Sequence, residues 1–191
     1  MKRLAILTGI LALAAPLALA QTSTWTSDPA HSEVEFSVRH MSVSNIHGRF
    51  GHVTATVVLN ETDITKSTVT ATIDVAGLST GEEARDNHLK TDTFFDTAKF
   101  PTATFVSTSV AKSASGLTVN GNLTLHGVTK PVVLQVDPPS AVVPGMDHKP
   151  HSGFSASTII NRTDFGIATS FPDAVVGDTI KLTIELETVK Q

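Results

Sequence analysis

From Glu33 to His40 the chain reads E-V-E-F-S-V-R-H, with Val34, Phe36 and Val38 alternating with Glu33, Glu35, Ser37 and Arg39. Strand side chains point to opposite faces with period two, so this segment buries one face and wets the other. Seven more segments carry β character, with polar Ser and Thr set among Val, Ile, Leu and Phe. The candidate strands are Glu33–His40, Phe50–Leu59, Ser67–Val75, Ala103–Val110, Leu117–Leu125, Val132–Val136, Gly153–Ile159 and Thr179–Thr188. Turn chemistry separates them at Asn45 to Gly48, Asn60 to Asp63, Ser113 to Gly116, Gly127 to Pro131 and Pro138 to Pro150. The second strand changes phase between Phe50 and Val53 around Gly51, which predicts a bulge.

Residues 1–20 have another character. Lys2 and Arg3 precede a short apolar run from Leu4 to Leu13, Pro16 breaks it, and Ala18-Leu19-Ala20 fits a small-x-small cleavage site. The run is too short and Ala-rich for a membrane span. These residues are expected to be a signal peptide cleaved after Ala20, leaving 21–191 as one soluble exported domain. The periplasm is the expected destination, with the external medium as the alternative. The chain has no cysteine, so it has neither disulfides nor thiolate metal sites. Its formal charge is −4, more acidic still without Lys2 and Arg3. With no basic run, it is poorly suited to nucleic acid or anionic membranes.

One segment departs from the β pattern. Thr80-Gly-Glu-Glu83 reads as a capping box, and Arg85, His88 or Leu89, and Asp92 recur at helical spacing. A helix, broken near Thr91, is expected from Glu82 to Thr97, between the third and fourth candidate strands. Phe94, Phe95 and Phe100 follow it and should anchor it to the sheet. Eight antiparallel strands either stack as a sandwich or close into a barrel, and closure removes exposed edges. Many inward candidates are small, among them Val34, Ala55, Ala71 and Ala103. Such a lining favours a cavity over a filled core.

No catalytic signature is present: no G-x-S-x-G, no Gly-rich phosphate loop and no paired-acid motif at recognisable spacing. His31, His40, His47, His52 and His88 lack H-x-H or H-E-x-x-H spacing, so no metal site and no enzyme is expected. His40 falls in phase with Phe36 and Val38. His31 is expected to tie the N-terminal turn to the barrel.

Four blocks, in order, span the mature chain. They are D-P-A-H-S-E-V-E-F-S-V-R-H-M…G-R-F from Asp28, R-D-N-H-L-K-T-D-T-F-F-D from Arg85 with F-P-T-A-T-F from Phe100, N-G-N-L-T-L-H-G-V-T-K-P-V from Asn120, and R-T-D-F-G-I from Arg162 with V-G-D at Val176. In these the chain resembles the YceI family of periplasmic polyisoprenoid-binding, lipocalin-like proteins. Thr91, Thr93 and the Pro138–Pro150 loop depart from the family pattern.

The resemblance implies an all-β fold, an extended eight-stranded antiparallel lipocalin-like barrel with one inserted helix, around an elongated apolar pocket. It implies an isoprenoid or other long-chain amphiphile as ligand, no further cofactor, and in some members a homodimer. On that reading Val34, Phe36, Val38, His40, Phe50, Phe105 and Phe154 are lining candidates, and Phe94 and Phe165 guard the mouth. Arg85, His88, Lys90 and Arg162 are head-group candidates. Arg85 reads equally as a helix anchor, Arg162 as a local partner of Asp164, and each Phe as plain core.

The energetics suit a carrier. Burial gains roughly 0.8 kcal/mol per CH₂, hence about 10 kcal/mol gross for a chain of about twenty carbons, before ordering costs. The alternatives are a ligand-free structural or interaction β-domain, or an enzyme. A domain without a ligand would show no long internal hollow.

Overall fold

The structure, a computed structural model, describes residues 21–191. The expected signal peptide and its cleavage after Ala20 lie outside the described residues. The described residues are all-β apart from one short helix and two 3-10 turns. Its strands are β1 (Thr22–Ser27), β2 (Glu33–His40), β3 (Ser44–Arg49), β4 (Val53–Asn60), β5 (Thr68–Asp74), β6 (Thr102–Lys112), β7 (Leu117–Leu125), β8 (Val128–Val136), β9 (Val143–Pro144), β10 (Pro150–Asn161) and β11 (Val176–Lys190). Helix α1 (Glu83–Leu89) lies between β5 and β6.

These strands make an eight-staved antiparallel barrel in which two staves are broken. β1 and β2 lie end to end along one edge of β11, pairing with Thr188–Lys190 and Val176–Glu185 respectively. β3 and β4 form the next stave, β3 against β2 and β4 against β1. The ladder then runs through β5, β6, β7, β8 and β10 back to β11. The β8–β10 seam is short, joining only Val136 and Gln135 to Ala156 and Ser157. The two-residue β9 lies alongside the start of β10.

The first break sits at Asp28–Ser32. Asp28 accepts from the Ala30 amide at 2.9 Å, and the Ser32 hydroxyl both donates to the Glu187 carbonyl and accepts from the Glu187 amide, each at 3.1 Å. Hydrogen bonding that the ladder loses there is thus made good by side chains. The second break is the phase change anticipated at Gly51. The Phe50 amide donates to the Val34 carbonyl at 3.0 Å and the Gly51 amide to Asp74 at 2.8 Å. A Cβ at position 51 would run into the Asp74 carboxylate, which would have to shift.

β2 and β7 have the bounds their alternation predicts. β1, β3 and β9 were not anticipated. β3 shows no dry face, its residues being exposed or half-buried, and β9 is too short for any pattern. The helix is shorter than expected, and Thr91 to Lys99 form turns instead. The capping box is also corrected. Glu82 is the N-cap and makes no side-chain cap bond, while Asp86 accepts from both the Thr80 amide (2.7 Å) and its hydroxyl (2.5 Å). Burial pushes the Asp86 carboxyl upward, but these bonds outweigh it and hold the group below its ordinary value.

Candidate functional site

The inward faces of the strands enclose two apolar chambers, one above the other. The helix-end chamber lies beneath α1 and the turns after it, and its walls include Val34, Phe36, Val38, Phe50, Leu123 and Leu182. The far chamber is walled by residues such as Val57, Val119, Leu134, Phe154 and Ile184. Each has a cavity volume of about 80 Å³, and no residue lines both. Arg162 is the single polar wall residue of the first and Ser67 of the second. Dry space of this size exceeds what one water needs, yet offers almost no hydrogen-bonding partner to hold it. The elongated pocket that the resemblance implies is thus two short apolar chambers and not one long hollow.

Aromatic rings roof the helix-end chamber. Phe36 and Phe50 lie 5.2 Å apart between ring centroids, and Phe95 meets Phe50 edge-on at 5.8 Å. Phe94 packs against Phe171 at 5.5 Å, and the His88 ring meets Phe94 edge-on at 4.9 Å. Such offset and edge contacts suit the ring quadrupoles. The rings sit where they do because α1 ends at Leu89 and a run of turns, pinned by Phe95 N–H to the Leu89 carbonyl (3.0 Å), folds the Phe94-Phe95 pair inward.

The candidate residues separate cleanly. Val34, Phe36, Val38, Phe50 and Phe94 line the helix-end chamber, and Phe154 lines the far one. Phe105 is buried but walls neither chamber. Phe165, 1 % exposed, is packed core rather than a mouth residue. His40 is corrected: it is exposed and lines neither chamber, at the end of β2 beyond the register shift of the β2–β11 ladder between Val176 and Ile180.

Arg162 is likewise not available to a head group. It is 3 % exposed, and its guanidinium donates to the carbonyls of Val176, Gly177, Ile167, Ala168 and Phe171 at 2.6–3.3 Å. The ion pair expected with Asp164 is absent among the described residues. Arg162 instead braces the chain after β10, where Gly166 in the left-handed region (φ 72°) ends a 3-10 turn. Arg85 is committed to Thr80, donating to its hydroxyl at 2.7 Å and its carbonyl at 3.0 Å. Lys90, half-buried, and His88, exposed, have no ion-pair partner among the described residues.

A polar network that the sequence only hinted at lies on the outer surface. His31 Nδ1 is 2.9 Å from Asp28 and 4.0 Å from Glu187. His151 bonds Glu187 through Nδ1 at 2.7 Å and Asp147 through Nε2 at 3.0 Å. The bond to Asp28 raises the His31 pKa, and the bond to Glu187 raises that of His151. His31, expected to tie the N-terminal turn to the barrel, bonds Asp28 within that turn and only approaches Glu187 of the barrel at 4.0 Å. Ligand atoms of Asp28, His31 and Glu187 lie within 4.8 Å of one another, although the histidine is largely exposed.

A closed antiparallel barrel around an apolar lumen, roofed by an inserted helix, defines a class of lipocalin-like binding folds. Residues 25–188 match the model of the YceI-like domain, and the chain belongs to the YceI family. Protein YceI of Salmonella newport is 37% identical over 165 residues, covering 84% of this chain and 83% of that one. The crystal structure of Campylobacter jejuni YceI protein is 33% identical with a TM-score of 0.71, covering 78% of this chain and 87% of that chain. A polyisoprenoid binding domain from Saccharophagus degradans, implicated in plant cell wall breakdown, shares the fold with a TM-score of 0.61 at 18% identity, covering 87% and 98%. No helix among the described residues is long and apolar enough to cross a membrane.

Proposed function

We propose that this protein binds one polyisoprenoid or similar long-chain amphiphile with its tail in the lumen, and carries or stores it in the periplasm after export. The observation that carries this reading is the helix-end chamber, whose wall is apolar but for an Arg162 whose donors are already spent. A lumen of this kind gives an apolar tail a refuge from water and gives a polar solute nothing to bond. A relative of the same fold described as a polyisoprenoid binding domain supports the same class of ligand. The polar head stays at the helix end, beside Lys90 and His88, whose side chains are not engaged in ion pairs. Binding requires the lining side chains to move apart, since about 80 Å³ does not hold a long chain.

The test is organic extraction of the protein purified from its native periplasm, followed by mass spectrometry, on wild type and Phe36→Asp. Wild type should yield a stoichiometric long-chain lipid. The variant should lose it, because a charge in an apolar chamber is heavily penalised. Folded Phe36→Asp with undiminished lipid would refute the placement of the tail.

A further inference from the structure

The barrel wall is least closed between β8 and β10. β8 pairs with β7 along its whole length, Val128 to Val136, and β10 pairs with β11 from His151 to Asn161. Their facing edges meet at two rungs, Val136–Ala156 and Gln135–Ser157, and the ladder then stops. Continuing the register would set Leu134 against Thr158 and Val133 against Ile159, and neither rung forms. Pro131, which has no N–H to give a ladder, lies on β8 beside this gap.

A groove of about 580 Å³ runs along the outside of the gap. Val133 on one lip and Ile159 on the other are 45 % and 66 % exposed, an apolar surface that is costly to keep in water. Behind them Val132 and Ile160 are buried. Ile160 lines the groove and also lines the helix-end chamber, so one side chain separates surface from lumen here. Phe50 likewise lies between that chamber and the surface, but the wall beside it is closed by backbone bonds from Phe50 to Val34 and from Gly51 to Asp74. Between β8 and β10 no rung forms at the level of Ile160.

We infer that the amphiphile enters the lumen sideways: the β8–β10 gap is its entry site, where an isoprenoid or similar apolar tail settles between Val133 and Ile159 and passes Ile160 into the helix-end chamber. This rests on the proposal that the lumen takes such a tail. The two rungs must part for the gap to widen, and a ladder this short opens more readily than the full-length ladders on either side. Sideways entry suits a long chain. The tail moves in along its length while the polar head stays in water, and it need not be threaded through the aromatic rings that roof the chamber.

The test is the rate at which all-trans retinol, a fluorescent isoprenoid alcohol, passes from phosphatidylcholine vesicles into the protein, followed by stopped flow. The chain has no cysteine of its own, so Gln135→Cys/Ser157→Cys places a single disulfide across a rung of the gap. Val106→Cys/Asn122→Cys places a control disulfide across the longer β6–β7 ladder. Oxidation of the first pair should slow uptake about ten-fold without lowering the amount bound at equilibrium, and reductant should restore the rate. Oxidation of the control pair should change neither. If the stapled protein does not fold, Ile159→Glu carries the test: a charge on the lip should slow uptake and leave the amount bound unchanged. Equal rates in the oxidised and reduced forms, equal slowing by the control, or a folded Ile159→Glu with the wild-type rate overturns the entry site while leaving the lumen reading intact. If wild type takes up no retinol, the lumen reading fails and the entry site with it.

Discussion

The ring of Phe105 lies over the backbone of Gly121, two residues along β7 from its ladder partner Leu123. The glycine is buried and its φ is not in the left-handed region, so close approach rather than backbone freedom demands it. Gly121→Val should therefore overpack the interior against Phe105 and destabilise the barrel by about 1–3 kcal/mol, measured by urea denaturation. The double variant Gly121→Val/Phe105→Leu should recover part of the loss, because the two side chains compete for one space.

Arg162 should be a stability residue and not a ligand contact. Arg162→Met fills similar space but leaves the carbonyls of Ile167, Ala168 and Phe171 without these donors. A loss of about 1–3 kcal/mol or more is expected, as for leaving buried carbonyls without their donor. Denaturant titration measures it. An Arg162 variant of wild-type stability that loses only lipid would reverse this assignment.

The surface network should make stability depend on pH. The pKa values of His31 and His151 are raised above the ordinary 6.5 by bonds to Asp28 and Glu187 respectively. Their contribution is present below that value and is lost as pH rises through the folded-state values. Asp28, lowered from 3.8 first by its bond to His31, and Asp147, lowered first by the Lys149 amide, contribute above 3.8 and lose their effect as pH falls. Wild-type Tm should thus be highest between these limits and decline as pH rises above about 6.5. In His31→Gln/His151→Gln the alkaline decline should flatten, as thermal melts across the range will show.

Asp86 holds the start of α1 through Thr80. Asp86→Ala removes two bonds, to an amide and a hydroxyl, and should cost about 1–3 kcal/mol locally. Hydrogen exchange of Glu83–Leu89 should accelerate while β7 and β11 stay protected. Uniform acceleration throughout the barrel would show that α1 does not open on its own.

Much of this was legible from local pattern. The alternation of Val34 and Phe36 with Glu33 and Glu35 placed β2 to the residue, and the phase change at Gly51 marked a true break in a stave. Period two, however, says which face a residue takes only while the ladder keeps its register. His40 keeps phase with Phe36 and is nonetheless exposed, because the ladder with β11 slips beside it. Arg162 sits in a motif that invites a head-group role, but its carbonyl partners extend from Ile167 to Gly177 and gather around it only when the chain after β10 folds back.

The sequence by itself determined eight staves, the helix insertion and an apolar interior, since those follow from spacing between neighbours along the chain. Tertiary structure alone decided that the interior is two chambers and that the Phe105 ring packs over Gly121. That outcome depends on which residues of separate strands share a level, a matter of register around a closed sheet. One glycine on β7 and one alanine on β5 leave the space that a single ring fills.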